Sequence, residues 1–142
     1  MESDLLREQI SNMRQSLFVE EILEYQFLQL EQLQDNENPN FLQEIMTLYF
    51  RESPKTIAII DQALEEHFNF PGLYKYLHQL KGSSASIGAN KVTKEINQAL
   101  ECFKEGDIQG CKGAVQRLKQ EHNILRNRLQ SYFQLLRQIK IC

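Results

Sequence analysis

"CKGAVQRLKQEHNILRNRLQSYFQLLRQI", residues 111–139, carries the most regular apolar pattern in the chain and decides the fold. Its pattern positions recur in alternating steps of four and three residues. They are Cys111, Val115, Leu118, His122, Leu125, Leu129, Tyr132, Leu136 and Ile139. This spacing lays one continuous stripe along a long helix and predicts that the stripe faces partner helices. The other faces are rich in glutamine, lysine and arginine.

The rest of the chain also has the pattern of helices separated by short breaks. The predicted helices cover about 3–14, 17–33, 39–66, 72–87, 90–105 and 107–139. Asn38 and Pro39 suit the start of the third helix, and Pro54 should bend or split it. Gly88 suits the end of the fourth helix, and Asp107 suits the cap of the last.

The positions of the breaks indicate how the helices are arranged. A parallel coiled-coil dimer through the long stripe is possible. Short turns near residues 70, 89 and 107 instead favour antiparallel neighbours within one chain. We therefore predict an all-α fold: an antiparallel, up-and-down four-helix bundle over about 39–139, with two additional N-terminal helices over about 3–34. At 142 residues, the chain is expected to form one domain.

Composition excludes several classes of function. The net charge of −3 argues against general affinity for nucleic acid. No apolar run approaches the roughly 18 residues of a membrane span, and the N-terminal sequence lacks the pattern of a signal peptide. Three widely spaced cysteines suit reduced thiols in a cytosolic or nuclear protein. Histidine and cysteine are not clustered at metal-site spacing, so no metal site is predicted.

One short segment, "YLHQLKGSSAS" at residues 76–86, combines a histidine, a lysine, a glycine and three serines. The apolar stripe of the helix around it consists of Leu73, Leu77, Leu80, Ser84 and Ile87. At about 100° per residue, His78 lies roughly 140° from the centre of that stripe, so it should point outward. Lys81 and Gly82 adjoin it on the helix surface, three and four residues later.

These neighbours suit a phosphoryl site. Glycine within a helix costs about 0.5–1 kcal/mol relative to alanine, and clearance for a partner surface at Gly82 would offset that cost. Lys81 can balance the charge of a phosphoryl group, and an exposed imidazole is partly neutral, hence nucleophilic, near neutral pH. The alternative is an ordinary surface histidine. The other two histidines suit the role less, because His67 closes a helix and His122 occupies a packed stripe position.

Residues 77–89, "LHQLKGSSASIGA", resemble the phosphorylation motif of plant histidine-containing phosphotransfer (HPt) proteins. "QFLQLEQLQDNENPNF" at 26–41, "GC" at 110–111 and "RNRLQSYFQLLRQI" at 126–139 fit the same family. The resemblance implies a phosphorelay carrier. Such a carrier accepts a phosphoryl group on histidine from the receiver-domain aspartate of a hybrid sensor histidine kinase. It then passes the group to the receiver aspartate of a response regulator.

The resemblance also assigns residues, partners and location. It implies that His78 is the phosphoryl acceptor and donor, and its motif neighbours here are Gln79, Lys81, Gly82, Ser83 and Ser86. It further implies cytokinin-type two-component signalling, with the carrier present in both cytoplasm and nucleus. Receiver domains are the expected partners, with neither nucleic acid nor membrane, and we expect a monomer.

This chain departs from the family pattern at several positions. Ala85 stands where the family has a serine, and His122 where a tyrosine is usual. In the fifth helix, Ile96, Ala99 and Leu100 replace a cysteine, an aromatic and a basic residue. None of these changes removes the acceptor, but the loss of a basic residue at 100 reduces the positive charge expected around the phosphoryl group.

Autonomous catalysis has no support in the sequence. "KGSSASIG" lacks the Gly-Lys-Ser/Thr end of a P-loop, and no carboxylate cluster suits Mg²⁺. We expect no cofactor on this chain, with Mg²⁺ and most of the catalysis supplied by the receiver partner.

The predicted second helix is the candidate docking surface. Its apolar residues spread too far around the axis to form one buried stripe, so some should be exposed, and exposed apolar patches mark partner sites. Leu28 and Asp35 are the predicted docking residues. The alternative function is a helical adaptor that binds receiver domains without phosphoryl chemistry.

Overall fold

The computed structural model describes residues 2–66 and 70–141. Six helices make up almost all of this part of the chain. They are α1 (Glu2–Val19), α2 (Tyr25–Leu33), α3 (Phe41–Glu66), α4 (Phe70–Ser86), α5 (Asn90–Lys104) and α6 (Ile108–Ile141). Within the described residues the sole β-type pairing is an isolated bridge between Leu23 and Ala89. The all-α prediction is confirmed. None of these helices is long and apolar enough to span a membrane.

The last four helices form the predicted up-and-down bundle. Each of α3, α4 and α5 packs on the next helix in the chain, and α3 also contacts α6, which closes the bundle. The α6 stripe lies in the core: Leu118 and Leu125 are fully buried, and Leu136 is half-buried at its outer end. Partner helices of the same chain therefore cover the stripe.

The two N-terminal helices add a second layer. α1 packs along α6, and α2 contacts α3 and α4. The Arg128 guanidinium on α6 donates hydrogen bonds to Ser16 Oγ at 2.8 Å and to a Glu20 carboxylate oxygen at 2.7 Å. Arg14 on α1 pairs with Glu31 on α2 at 2.6 Å. The contacts of Arg128 tie the end of α1 to the bundle, and the Arg14–Glu31 pair ties α1 to α2.

The boundary between α1 and α2 differs from the prediction. The predicted break lies near residue 15, whereas α1 continues to Val19 and the chain turns at 20–24. In that turn Glu21 has a φ of 62°. The turn is held by the α4–α5 connection: the Asn90 N–H donates to the Ile22 carbonyl at 3.0 Å, and the Glu24 N–H donates to the Gly88 carbonyl at 2.9 Å. The helix itself ends in a local left-handed turn at Glu21, where the Ile22 N–H donates to the Leu17 carbonyl at 2.9 Å, and the long-range hydrogen bonds then hold that turn in place.

The third helix also differs in two details. It begins at Phe41 rather than near 39, and the Asn40 carbonyl accepts its first helical bond, from the Glu44 N–H at 2.9 Å. It is not split at Pro54, because α3 continues through that residue to Glu66. The expected cap of the last helix is confirmed: Asp107 Oδ1 accepts a hydrogen bond from the Gly110 N–H at 2.8 Å.

Candidate functional site

The predicted orientation of His78 is confirmed by the packing of α4. All five members of the predicted stripe, Leu73, Leu77, Leu80, Ser84 and Ile87, are at most 3% exposed. His78 lies on the opposite side of the helix and is exposed. The bundle core thus fixes the rotation of α4, and that rotation presents the imidazole to solvent.

An aromatic contact that the sequence pattern did not predict covers one flank of the His78 ring. Tyr74, one turn earlier on α4, packs against the imidazole with ring centroids 4.3 Å apart and an interplanar angle of 61°. The Tyr74 ring also packs on Phe103 of α5, with centroids 5.7 Å apart. The spacing of four residues between Tyr74 and His78 was the signal that could have revealed this pair.

The other flank of the ring is open. An added Cβ at Gly82 would meet nothing within 4 Å, so the packing of the chain itself does not require glycine there. Lys81 is half-buried and forms no ion pair with any carboxylate in the described part of the chain. A phosphoryl group on His78 therefore has free space on one side and, three residues away, an ammonium group that no carboxylate of the described residues neutralises.

The serines of the motif bond to the helix backbone or into the core. Ser83 Oγ donates to the Leu80 carbonyl at 3.1 Å, and Ser86 Oγ donates to the Ser83 carbonyl at 2.7 Å. Ser84 is fully buried and shares a 2.7 Å hydrogen bond with the Tyr49 hydroxyl of α3. Burial raises the pKa of Tyr49 to about 12, so the phenol stays protonated. This bond joins α4 to α3 beneath the histidine.

The predicted docking residues lie on and just after α2. Leu28 is half-buried, and Asp35 is exposed. The Asp35 carboxylate accepts hydrogen bonds at 2.9 Å from the Glu37 and Asn38 N–H groups, so it also holds the loop before α3.

The apolar residues of α2 are divided between core and surface. Phe27 and Leu30 are buried, whereas Tyr25 and Leu33 are 66% and 61% exposed. The expectation that part of this helix remains exposed is confirmed.

A groove between α3 and α4 lies beside the motif and was not anticipated. It has a volume of about 300 Å³, and Ile45, Leu48, Gln79, Ser83 and Ser86 are among its lining residues. Leu48 is 50% exposed there. Gln79, the residue after the histidine, therefore borders a partly apolar recess.

Four of the five family departures lie in the core rather than at the site. Ile96 and Ala99 are fully buried, and Leu100 and His122 are 5% and 6% exposed, so all four pack inside the bundle. Ala85, in contrast, is half-buried on α4. The residue at 100 therefore contributes apolar packing, and the cation identified beside His78 is Lys81.

His122 is packed, as predicted. It is 6% exposed, and its Nε2 shares a 2.7 Å hydrogen bond with Ser53 Oγ of α3. Burial, and secondarily the positive charge of Arg126, lowers the pKa of His122 to about 4. The ring is therefore neutral and inaccessible. His67 lies outside the described residues.

The low pKa of His122 predicts that stability decreases with acidity. Because the ring accepts a proton more readily in the unfolded chain, its contribution is complete above about pH 6.5 and is lost as the pH falls toward 4. Between about pH 7 and pH 5 the free energy of unfolding should fall by about 2 kcal/mol from this group. Urea unfolding at both pH values, compared with His122→Gln, measures the effect. An equal decrease in the variant would contradict it.

Among residues 2–66 and 70–141, no three His, Cys, Asp or Glu side chains lie close enough together to hold a metal ion. Cys102 and Cys111 are free thiols in the core. Burial, followed by nearby Cys102 and Asp107, raises the pKa of Cys111 to about 11. Cys111 is therefore an inert packing residue, as its stripe position predicted.

Comparison with known proteins agrees with this site. The Hpt domain model matches residues 44–128, which include the whole of α4. The chain belongs to the histidine-containing phosphotransfer (HPt) family. Histidine-containing phosphotransfer protein 4 of Arabidopsis thaliana is 50% identical over 79% of this chain and 89% of its own length. The crystal structure of an HPt protein from Medicago truncatula, 34% identical, superposes with a TM-score of 0.90 over 96% of this chain and 93% of its own.

Family membership gives the coarse function: the protein is a phosphorelay carrier, and proteins of this family act with receiver domains of two-component systems rather than as conventional enzymes. One relative from rice is named pseudo histidine-containing phosphotransfer protein 5. It is 41% identical over 97% of this HPt chain and 91% of its own length. Relatives named as HPt proteins and relatives named as pseudo HPt proteins both match this chain. The capacity of this chain to carry a phosphoryl group therefore depends on the histidine that it has at position 78.

Proposed function

We propose that His78 accepts a phosphoryl group from the receiver aspartate of a hybrid sensor histidine kinase and donates it to the receiver aspartate of a response regulator. The observation that carries this proposal is the exposed imidazole on α4, open toward Gly82 and three residues from the Lys81 ammonium. His122 is buried and hydrogen-bonded, so it does not compete for the role.

The transfer needs no further chemistry from this chain. An imidazole nitrogen of His78 forms the N–P bond while the P–O bond to the receiver aspartate breaks, and the aspartate leaves as a carboxylate. The other ring nitrogen then releases its proton to water. Positioning and charge neutralisation govern such transfers, and Lys81 supplies one positive charge. The receiver supplies the Mg²⁺, and this chain acts without a cofactor or autonomous activity.

Docking places the receiver over His78. The exposed apolar side chains of α2, with Leu28 and Asp35 at its edge, and the groove beside Gln79 supply surface on neighbouring elements. An apolar surface of this kind suits the transient contact that a relay requires. On α4, we expect the receiver to contact Gln79, Gly82, Ser83 and Ser86, which are all exposed.

The resemblance to plant relatives suggests a biological setting, which is part of the same proposal. We place the protein in a cytokinin-type relay, as a monomer that moves between cytoplasm and nucleus and carries the phosphoryl group from a kinase to a response regulator. The alternative, an adaptor that binds receivers without phosphoryl chemistry, is favoured by the relative whose name includes "pseudo".

A transfer assay separates the two functions. The protein is incubated with a phosphorylated receiver domain, and acid-labile, base-stable label is followed on it. Label on this chain supports the carrier, whereas stable binding without label supports the adaptor. Labelling from ATP without a partner would instead indicate autonomous kinase activity and contradict the proposal.

Replacing Gly82 with alanine tests the clearance beside the ring. The open space around residue 82 predicts that the variant is more stable by about 0.5–1 kcal/mol. A methyl group in the approach path should nevertheless slow transfer from a receiver about ten-fold or more. Labelling by phosphoramidate, a small phosphoryl donor, should stay near the wild-type rate because it needs no docked partner. Unchanged transfer from the receiver would show that the partner does not approach over Gly82.

A further inference from the structure

The surroundings of His78 are asymmetric along α4. On the N-terminal side, the Tyr74 ring contacts the imidazole at 4.3 Å between centroids. On the C-terminal side, Gly82 leaves open space and Lys81 contributes a cation. One flank of the ring is therefore covered, and the other is free.

The covering ring is held in place by a second helix. Tyr74 is 40% exposed, yet its inner part packs on Phe103, which is itself partly buried against the core. Tyr74 therefore spans α4 and α5 rather than moving freely in solvent. An anchored aromatic neighbour restricts the rotation of the imidazole, and edge-to-face pairs of this kind have a defined geometry.

We propose that Tyr74 is a positioning residue for phosphoryl transfer. It fixes the orientation of the His78 ring and closes its N-terminal flank, so that the receiver aspartyl phosphate approaches from the side of Lys81 and Gly82. This inference rests on the proposed role of His78 and adds the side from which the receiver approaches the ring. Orientation matters because a reaction between two docked groups gains rate when the nucleophile is already aligned.

Two phosphoryl donors distinguish positioning from folding. A phosphorylated receiver requires an aligned ring, whereas phosphoramidate, which releases ammonia on transfer, can approach a freely rotating ring from any side. Tyr74→Ala should lower the rate of transfer from the receiver about three- to ten-fold, while labelling by phosphoramidate should not fall. Tyr74→Phe retains the ring and should transfer at the wild-type rate.

Two further variants serve as controls for folding and for the loss of an exposed side chain. Tyr74→Leu retains apolar packing on Phe103 without a flat ring, so it serves if the alanine variant does not fold, and it should show the same selective loss. Ile124→Ala, on α6, removes a side chain with the same 40% exposure as Tyr74 and should change neither rate.

Two results would overturn the role of Tyr74. Either the rate of transfer from the receiver stays at its wild-type value in the alanine and leucine variants, or both rates fall by the same factor in folded protein. Failure of the proposed function is distinguishable, because it would appear as label persisting in His78→Gln or as no label on the wild type.

Discussion

His78→Gln is expected to lose all phosphoryl uptake, from both a phosphorylated receiver and phosphoramidate. Glutamine retains polar character at an exposed helix position but has no nucleophilic ring nitrogen. Because His78 is exposed and lies opposite the buried stripe of α4, the substitution should change the free energy of unfolding by less than about 0.5 kcal/mol. Receiver binding should persist, since the docking surface is intact. Labelling and binding measured on the same preparation check this result.

The matched control is His122→Gln. His122 is buried and shares a hydrogen bond with Ser53, so this variant should be less stable at neutral pH but should take up label normally in its folded fraction. If label is lost in His122→Gln and retained in His78→Gln, the assignment of the two histidines is wrong.

Gly88→Ala should destabilise the fold more than alanine at Gly82 or Gly106, although Gly88 lies outside the phosphoryl site. Gly88 has a φ of 78°, and a Cβ there would lie 2.6 Å from the backbone nitrogen of Phe27. The left-handed conformation costs a non-glycine residue about 1–2 kcal/mol, and the overlap adds a cost of similar size. We expect a loss of about 3 kcal/mol in the free energy of unfolding, measured by urea denaturation.

Gly106→Ala separates the two causes. Gly106 has a similar φ of 73°, but a Cβ there would meet nothing within 4 Å. This variant should therefore show the backbone cost of about 1–2 kcal/mol without the overlap. Equal destabilisation of the two variants would show that the contact between the α4–α5 connection and α2 does not constrain the fold.

The arrangement of the bundle and the orientation of the histidine could be predicted because both depend on helical periodicity. The stripe of α6 and the stripe that contains Leu77 and Leu80 repeat at helical spacing, and burial of the second stripe forces His78 outward. The cap at Asp107 was also predictable, because a helix cap depends on residues that are close in sequence.

Features that depend on tertiary contacts were not predictable. The turn after α1 is stabilised by hydrogen bonds from Asn90 and to Gly88, which are more than 60 residues away in sequence. The split of α3 that Pro54 suggested does not occur, because the helix continues through that residue. The anchoring of Tyr74 on Phe103 required knowledge of how α4 and α5 pack. The α3–α4 groove is likewise a product of packing between helices.

The most direct measurement of the central claim follows the phosphoryl group through a complete relay. The wild-type protein is labelled by phosphoramidate, separated from the donor, and mixed with an unphosphorylated response-regulator receiver and Mg²⁺ in the absence of ATP. We predict that label leaves a phosphohistidine mapped to His78 and appears on the receiver aspartate. Label found on another residue, or released as free phosphate without reaching the receiver, would contradict this role.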